Sequence, residues 1–125
     1  GVKIIEQSAF HGCGRLTHVD LDKLETVGDN SFIGCTSLQR VKLPKVKSIG
    51  GCAFMSSGVQ DAEFSEELET MESGAFRYSK LRRIAIPLKD EIEFQLNDVS
   101  NCNTIQLVDN TNGQKGCDLK YGEHM

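Results

Sequence analysis

The chain has 125 residues, of which 38% are hydrophobic, and its formal net charge at pH 7 is −4. This length is typical of a single domain. The negative net charge argues against a nucleic-acid-binding protein, because such proteins gain affinity from clustered Lys and Arg side chains. No apolar run approaches the roughly 18 residues that a transmembrane helix needs. We therefore expect neither a nucleic-acid partner nor membrane insertion.

The strongest signal is a phenylalanine that recurs every 22 residues, at Phe10, Phe32, Phe54 and Phe76. A fixed short period is typical of a solenoid, in which nearly identical coils of chain stack on one another. Other apolar positions keep the same phase, apart from a one-residue slip after Phe54, and form five columns of equivalent residues. These columns are Val2, Leu24, Val46 and Leu68; Ile5, Val27, Ile49 and Met71; Leu16, Leu38, Val59 and Leu81; Val19, Val41, Ala62 and Ile84; and Leu21, Leu43, Phe64 and Ile86. The four rings are expected to pile on one another.

One segment of each repeat alternates inward apolar residues with outward polar ones, which indicates a short strand. In chain order these segments are 16–21, 38–43, 59–64 and 81–86. One strand per repeat predicts a parallel sheet along one side of the solenoid, with turns or 3-10 segments on the other side. Gly28 and Gly50 each follow a pair of apolar positions, and we expect turns with positive φ at both glycines.

The C-terminal stretch departs from this pattern. Val99, Cys102, Ile105 and Val108 copy the offsets of Phe10 and the apolar residues that follow it, which predicts a degenerate fifth repeat. The residues that follow are rich in Asn, Thr and Gly, a composition typical of turns. We therefore predict a repeat domain over residues 1–108 and a C-terminal tail over residues 109–125.

Three segments carry a family resemblance: SAFHGCGRLTHVDL, NSFIGCTSLQRVKLPKVKSIG and SGAFRYSKLRRIAIP. They resemble the BspA-like class of leucine-rich repeats, whose units contain a Phe, a small residue with Cys, and then Leu, Val and Leu-Pro. The resemblance covers about residues 2–88 and implies a leucine-rich repeat solenoid, a right-handed β/α superhelix. It also implies adhesion or recognition of a host or matrix, at the cell surface or in a secreted protein.

Five cysteines raise the question of a disulfide or a metal site. Cys13, Cys35 and Cys102 share a column in which the third and fourth repeats carry Ser, a residue that forms no disulfide and is a poor zinc ligand. We therefore expect structural thiols at Cys13 and Cys35. Cys102 and Cys117 leave two alternatives open, a pair of free thiols or a bridge that closes a C-terminal loop in an oxidising compartment.

No other pattern predicts chemistry at a site. His11 and Cys13 are two residues apart, but no second pair at metal-site spacing follows them. His18 lies next to outward Asp20, yet no Ser or Cys nucleophile shares their face. We expect no metal, no cofactor and no catalysis.

The best candidate site is the set of outward side chains on the predicted sheet. One column contains His18, Arg40, Asp61 and Arg83, and the next contains Asp20, Lys42, Glu63 and Ala85. Charge alternates in sign between neighbouring repeats in both columns. This alternation is typical of a self-neutralising ladder, whose exposed pairs contribute about 0–1 kcal/mol each. It is also compatible with a polar recognition surface, which repeat solenoids commonly present on their sheet. The predicted partner-binding residues are His18, Asp20, Arg40, Lys42, Asp61, Glu63 and Arg83.

Two functions are compatible with these features. The first is a non-catalytic recognition or adhesion module whose strand face binds a protein or a cell-surface ligand. The alternative is a structural spacer of a larger surface protein, with the ligand site elsewhere. Terminal coils of a solenoid need a polar cover, and the edge from Val2 to Phe10 lacks one. This suggests a homo-oligomer through the terminal repeat, or a cap outside the sequence.

Overall fold

The structure, a computed structural model, describes residues 2–87, 89, 92, 102, 104–108 and 115–119, the last range through its backbone alone. These residues form two β-sheets, and none of them lies in a helix that could cross a bilayer. The strands are β1 (Ile4–Ile5), β2 (Thr26–Val27), β3 (Arg40–Leu43), β4 (Ser48–Ile49), β5 (Asp61–Phe64), β6 (Thr70–Met71), β7 (Arg83–Pro87), β8 (Thr104–Val108) and β9 (Lys115–Leu119).

The five-stranded sheet has the order β3-β5-β7-β8-β9 and is parallel except for the last pair. In β3 and β5 the second and fourth residues are buried and the other two are more exposed, as the alternating sequence predicts. The register places Val41 beside Ala62 and Ala62 beside Ile84, so the apolar columns of the sequence are columns of the core. The predicted solenoid with a parallel sheet along one side is confirmed.

A four-stranded parallel sheet forms a second flank, with the order β1-β2-β4-β6 and one two-residue strand in each coil. The sequence predicts turns or 3-10 segments away from the first sheet, so this second sheet is a departure from the expectation. Its inward residues form one of the predicted apolar columns. They are Ile5, Val27, Ile49 and Met71.

The ends of the five-stranded sheet also depart from the expectation. Residues 16–21 form no strand, so β3 is the first strand of the sheet. At the other end, β9 lies within the predicted tail and pairs antiparallel with β8. In the predicted fifth repeat, Cys102 and Ile105 are buried, whereas Val99 lies outside the described residues.

The phenylalanine column forms a continuous stack through the core. Ring centroids are 5.2 Å apart for Phe10 and Phe32, 5.0 Å for Phe32 and Phe54, and 5.1 Å for Phe54 and Phe76. The planes of neighbouring rings differ by at most 9°. The rings of Phe32, Phe54 and Phe76 are fully or almost fully buried, and Phe10 is half-buried at the N-terminal end of the stack. The predicted alignment of the four rings is confirmed.

Two columns of residues with positive φ connect neighbouring coils. They are Ser8, Asn30, Cys52 and Gly74, and Gly12, Gly34, Ser56 and Tyr78. In the first three coils, the N–H groups of these residues donate to carbonyls of the next coil. Ser8 donates to Asp29 at 2.9 Å, for example, and Gly12 donates to Ile33 at 2.7 Å. Backbone groups that a tight turn leaves without a local partner are thereby satisfied between coils.

The prediction of positive φ at Gly28 and Gly50 is wrong, because neither glycine has that conformation. Glycine is required at both positions because two coils approach each other closely there. The Gly28 N–H donates to the Ile5 carbonyl at 2.7 Å, and a Cβ at Gly28 would lie 2.7 Å from the backbone nitrogen of Gln7. A Cβ at Gly50 would lie 2.6 Å from the backbone nitrogen of Asp29. Only a residue without a side chain fits at such distances.

Candidate partner-binding surface

The outward residues of β3, β5 and β7 lie side by side across the five-stranded sheet. The pairing aligns Arg40 with Asp61 and Lys42 with Glu63 on neighbouring strands. It also aligns Asp61 with Arg83. The register predicted for these five residues is therefore confirmed, and opposite charges lie in adjacent coils.

Arg83 is the centre of a network of polar contacts on this face. One guanidinium nitrogen of Arg83 lies 2.7 Å from an oxygen of Asp61. The other lies 3.4 Å from an oxygen of Glu63 and donates a hydrogen bond of 2.5 Å to the side-chain oxygen of Gln106. The side chains of Arg83 and Asp61 are 29% and 31% exposed. The positive charge of Arg83 is therefore offset by two carboxylates of the chain itself, and the second of these, Glu63, also lies 3.9 Å from Lys42.

Two opposing effects act on the pKa of Arg83. Partial burial alone would lower it, because burial disfavours the charged form. The hydrogen bond and the negative charge of Asp61, followed by those of Glu63, outweigh burial and raise the pKa above its ordinary value. The guanidinium therefore stays charged and holds both carboxylates in place.

The charge distribution differs at the β3 edge of the face. The Lys42 ammonium is 3.9 Å from an oxygen of Glu63, and its side chain is 70% exposed. Arg40 is exposed and forms no ion pair with any described residue. Because Asp61 is already bound to Arg83, the positive charge of Arg40 remains available to a partner. The Lys42 ammonium has one long contact with Glu63 but is exposed enough for a partner to reach it.

His18 and Asp20 are not placed on a strand of this face. Both are exposed, and Asp20 accepts a hydrogen bond from the Asp22 N–H at 3.1 Å. Together with Arg40, Lys42 and Asp61, they line a groove of about 850 Å³ between segment 17–22 and β3. The structure thus brings five of the seven predicted residues to one groove, and it leaves Glu63 and Arg83 farther along the sheet.

Gln106 is a member of this face that the sequence analysis missed. It lies on β8 opposite Ala85 and is only 9% exposed, because its side-chain oxygen binds Arg83. Extending the column that contains Lys42, Glu63 and Ala85 by one further repeat would have identified it. Gln106 was not recognised as the next member of this column because the sequence of the fifth repeat matches the repeat pattern poorly.

The described cysteine side chains differ in exposure. Cys35 and Cys102 are buried, whereas Cys13 is exposed. Burial raises the pKa of the Cys35 and Cys102 thiols, which keeps both neutral. Within the part of the chain that the structure describes, no group of three or more His, Cys, Asp and Glu side chains is placed to hold a metal ion. The side chain of Cys117 lies outside the described residues.

The comparison with protein families agrees with the geometry. The family model described as BspA type leucine-rich repeat region matches residues 1–113, in six copies. No curated protein and no solved structure matches the chain. Leucine-rich repeats of this kind indicate a protein-interaction or adhesion-type module. The chain belongs to the BspA-type leucine-rich repeat family.

Proposed function

We propose that the chain is a non-catalytic recognition module that binds a protein or cell-surface ligand through the outward face of its five-stranded sheet. The observation that supports this proposal is the uneven use of charge along the face. Arg83 is paired with Asp61 and Glu63, whereas at the β3 edge Arg40 is exposed with no ion-pair partner among the described residues, and Lys42 is 70% exposed with one contact of 3.9 Å to Glu63. A ligand with acidic groups would bind Arg40 and Lys42, and the Arg83 network would hold strands β5 and β7 in register.

The residues of the face divide into two roles under this proposal. Arg40, Lys42 and His18 would contact the ligand, since all three are exposed. Asp61 and Arg83 would position the strands, since their side chains are half-buried and bonded to one another. Rim charges of the first kind act mainly on association rate and specificity. An ion pair of the second kind would affect ligand binding indirectly, because it keeps the strands, and therefore the shape of the surface, in place.

Charge reversal tests the proposal. Arg40→Glu combined with Lys42→Glu should weaken binding to a partner selected from an array of purified extracellular domains by about tenfold or more. The matched control is Lys45→Glu with Lys47→Glu, which makes the same change in net charge at two exposed residues off the face. Affinity measured by calorimetry should be unchanged in this control. Equal losses in both variants, or no saturable binding across the array, would contradict the proposal.

The structural spacer remains a second candidate because the Arg83 network satisfies its charges within the chain. A spacer predicts that neither charge-reversed variant differs from the unmodified protein in any interaction. We also propose the contact between copies that the sequence predicts. Val2 and Ile4 at the first coil are 62% and 59% exposed. Sedimentation at increasing protein concentration would detect self-association through these residues.

A further inference from the structure

The groove beside β3 is open because one ladder of hydrogen bonds is missing there. Between later coils, the Gln39 carbonyl accepts from the Gln60 N–H at 2.7 Å, and the Gln60 carbonyl accepts from the Arg82 N–H at 2.8 Å. No backbone hydrogen bond joins segment 17–22 to β3, although the structure describes every residue of both. Strand β3 is therefore an edge strand with a free outer side.

The groups on this free side can be identified from the pairing on the other side. The carbonyl of Gln39 points to β5, where it accepts from the backbone of Gln60 and Asp61. Successive residues of a strand direct their N–H and C=O groups to alternate sides. The N–H and C=O groups of Arg40 and Lys42 therefore point into the groove, and an exposed edge of this kind is a template for another strand.

The groove is bounded because the first two coils remain joined elsewhere. The Phe10 N–H donates to the Ser31 carbonyl at 2.8 Å, and the Ser37 hydroxyl donates to the Gly14 carbonyl at 2.6 Å. On the opposite flank, β1 pairs with β2. The opening is thus confined to the side of the five-stranded sheet, and its volume of about 850 Å³ lies within the range of binding clefts.

The walls of the groove define the chemistry of a segment that would fill it. Val41 is buried at its inner side, and Val19 is half-buried opposite, which favours an apolar side chain pointing inward between them. On the outer side, Arg40 is exposed and has no ion-pair partner among the described residues. An acidic side chain on the β3 side would be paired with Arg40, as in the alternating columns of the later coils. The facing wall carries Asp20 and Asp22, so an acidic side chain that pointed to that wall would be repelled.

We propose that a partner protein binds by adding an extended segment, with alternating apolar and acidic residues, as a strand along the free edge of β3. Main-chain hydrogen bonds to Arg40 and Lys42 would supply affinity, and the alternating side chains would supply specificity. The four residues of β3 span about 13 Å, which a heptapeptide covers. This inference rests on the proposed function, because it specifies how the recognition face takes its ligand.

Amide hydrogen exchange on the full chain, followed residue by residue by NMR, tests the inference. The probe is a capped heptapeptide of alternating valine and glutamate, used at concentrations where it is monomeric. We expect it to slow exchange of the Arg40 and Lys42 amides by about tenfold or more. The matched controls are the same peptide with lysine for glutamate, and the glutamate peptide with alternate amides N-methylated. Neither control should protect these amides.

Several results would overturn the inference. Protection of the Arg40 and Lys42 amides without peptide would show that segment 17–22 pairs with β3 itself. Equal binding of the N-methylated peptide would exclude strand addition, and so would the absence of glutamate-peptide binding. If charge reversal at Arg40 and Lys42 abolishes partner binding while their amides stay unprotected, the proposed function stands and the strand-addition inference fails. If charge reversal leaves partner binding unchanged, the proposed function itself fails.

Discussion

Replacing Phe54 with alanine should lower the free energy of unfolding by about 3–5 kcal/mol, the usual cost of truncating a buried phenylalanine. The Phe54 ring is fully buried and stacks on a ring at each side, at 5.0 Å and 5.1 Å. No side chain can refill the space without moving a coil, because both neighbouring rings are fixed by their own stacking contacts. Urea denaturation monitored by circular dichroism measures this loss.

Phe10→Ala is the matched control for that substitution. The Phe10 ring is half-buried and stacks on one ring, that of Phe32, at 5.2 Å. We expect a smaller loss of about 1–2 kcal/mol, in proportion to the apolar surface that Phe10 removes from water. If both substitutions cost the same, or if Phe54→Ala leaves stability almost unchanged, the rings do not form a stack with a buried middle and an exposed end.

Gly58→Ala should also destabilise the fold strongly, by about 2 kcal/mol or more. A Cβ at Gly58 would overlap the Thr36 carbonyl oxygen and would lie 2.9 Å from the Thr36 carbonyl carbon. Both atoms belong to the backbone of the preceding coil, so they can retreat only if the coils separate. The Gly58 N–H also donates to the Cys35 carbonyl at 3.0 Å, and this bond would stretch. The thermal unfolding midpoint of the variant should fall by several degrees.

Gly14→Ala is the control for steric overlap, since Gly14 occupies the equivalent position two repeats earlier. Its nearest neighbour would be the Thr36 hydroxyl at 3.5 Å, an ordinary van der Waals distance. We expect a change within about 0.5 kcal/mol. A mild effect at Gly58, equal to that at Gly14, would contradict the close packing of the second and third coils.

The period of 22 residues made the core of this fold predictable. Equivalent residues of a solenoid occupy equivalent environments, so the positions of Phe10, Phe32, Phe54 and Phe76 in the sequence predict a stack directly. The same logic predicts that Asp61 lies beside Arg83, and the two side chains are in contact at 2.7 Å. The sequence therefore predicted correctly which side chains lie next to one another in neighbouring coils.

Backbone features were harder to predict from residue types. The four-stranded sheet was missed because its strands are two residues long, too short for alternation to be recognised. The glycine signal is ambiguous, because glycine permits positive φ and also permits close approach. Gly28 serves the second purpose, whereas Asn30 and Cys52 adopt positive φ and carry side chains.

At the candidate site, too, the positions of side chains were predictable from the sequence and the pairing of the backbone was not. Segment 16–21 has the apolar spacing of β3, and Leu21 is buried as expected. Alternation reports which side of a segment faces the core, but it does not report whether the backbone has a pairing partner. His18 and Asp20 therefore lie beside the groove instead of on the sheet, and the free edge of β3 could not be foreseen.

The most direct test of the stacked-coil account is a set of NMR nuclear Overhauser measurements on protein with selectively labelled phenylalanine rings. The account predicts ring-to-ring cross-peaks between Phe10 and Phe32, Phe32 and Phe54, and Phe54 and Phe76, whose centroids lie 5.0 to 5.2 Å apart. It predicts none between Phe10 and Phe54, which are two coils apart with the Phe32 ring between them. Cross-peaks that skip a ring, or missing cross-peaks between adjacent rings, would contradict the account.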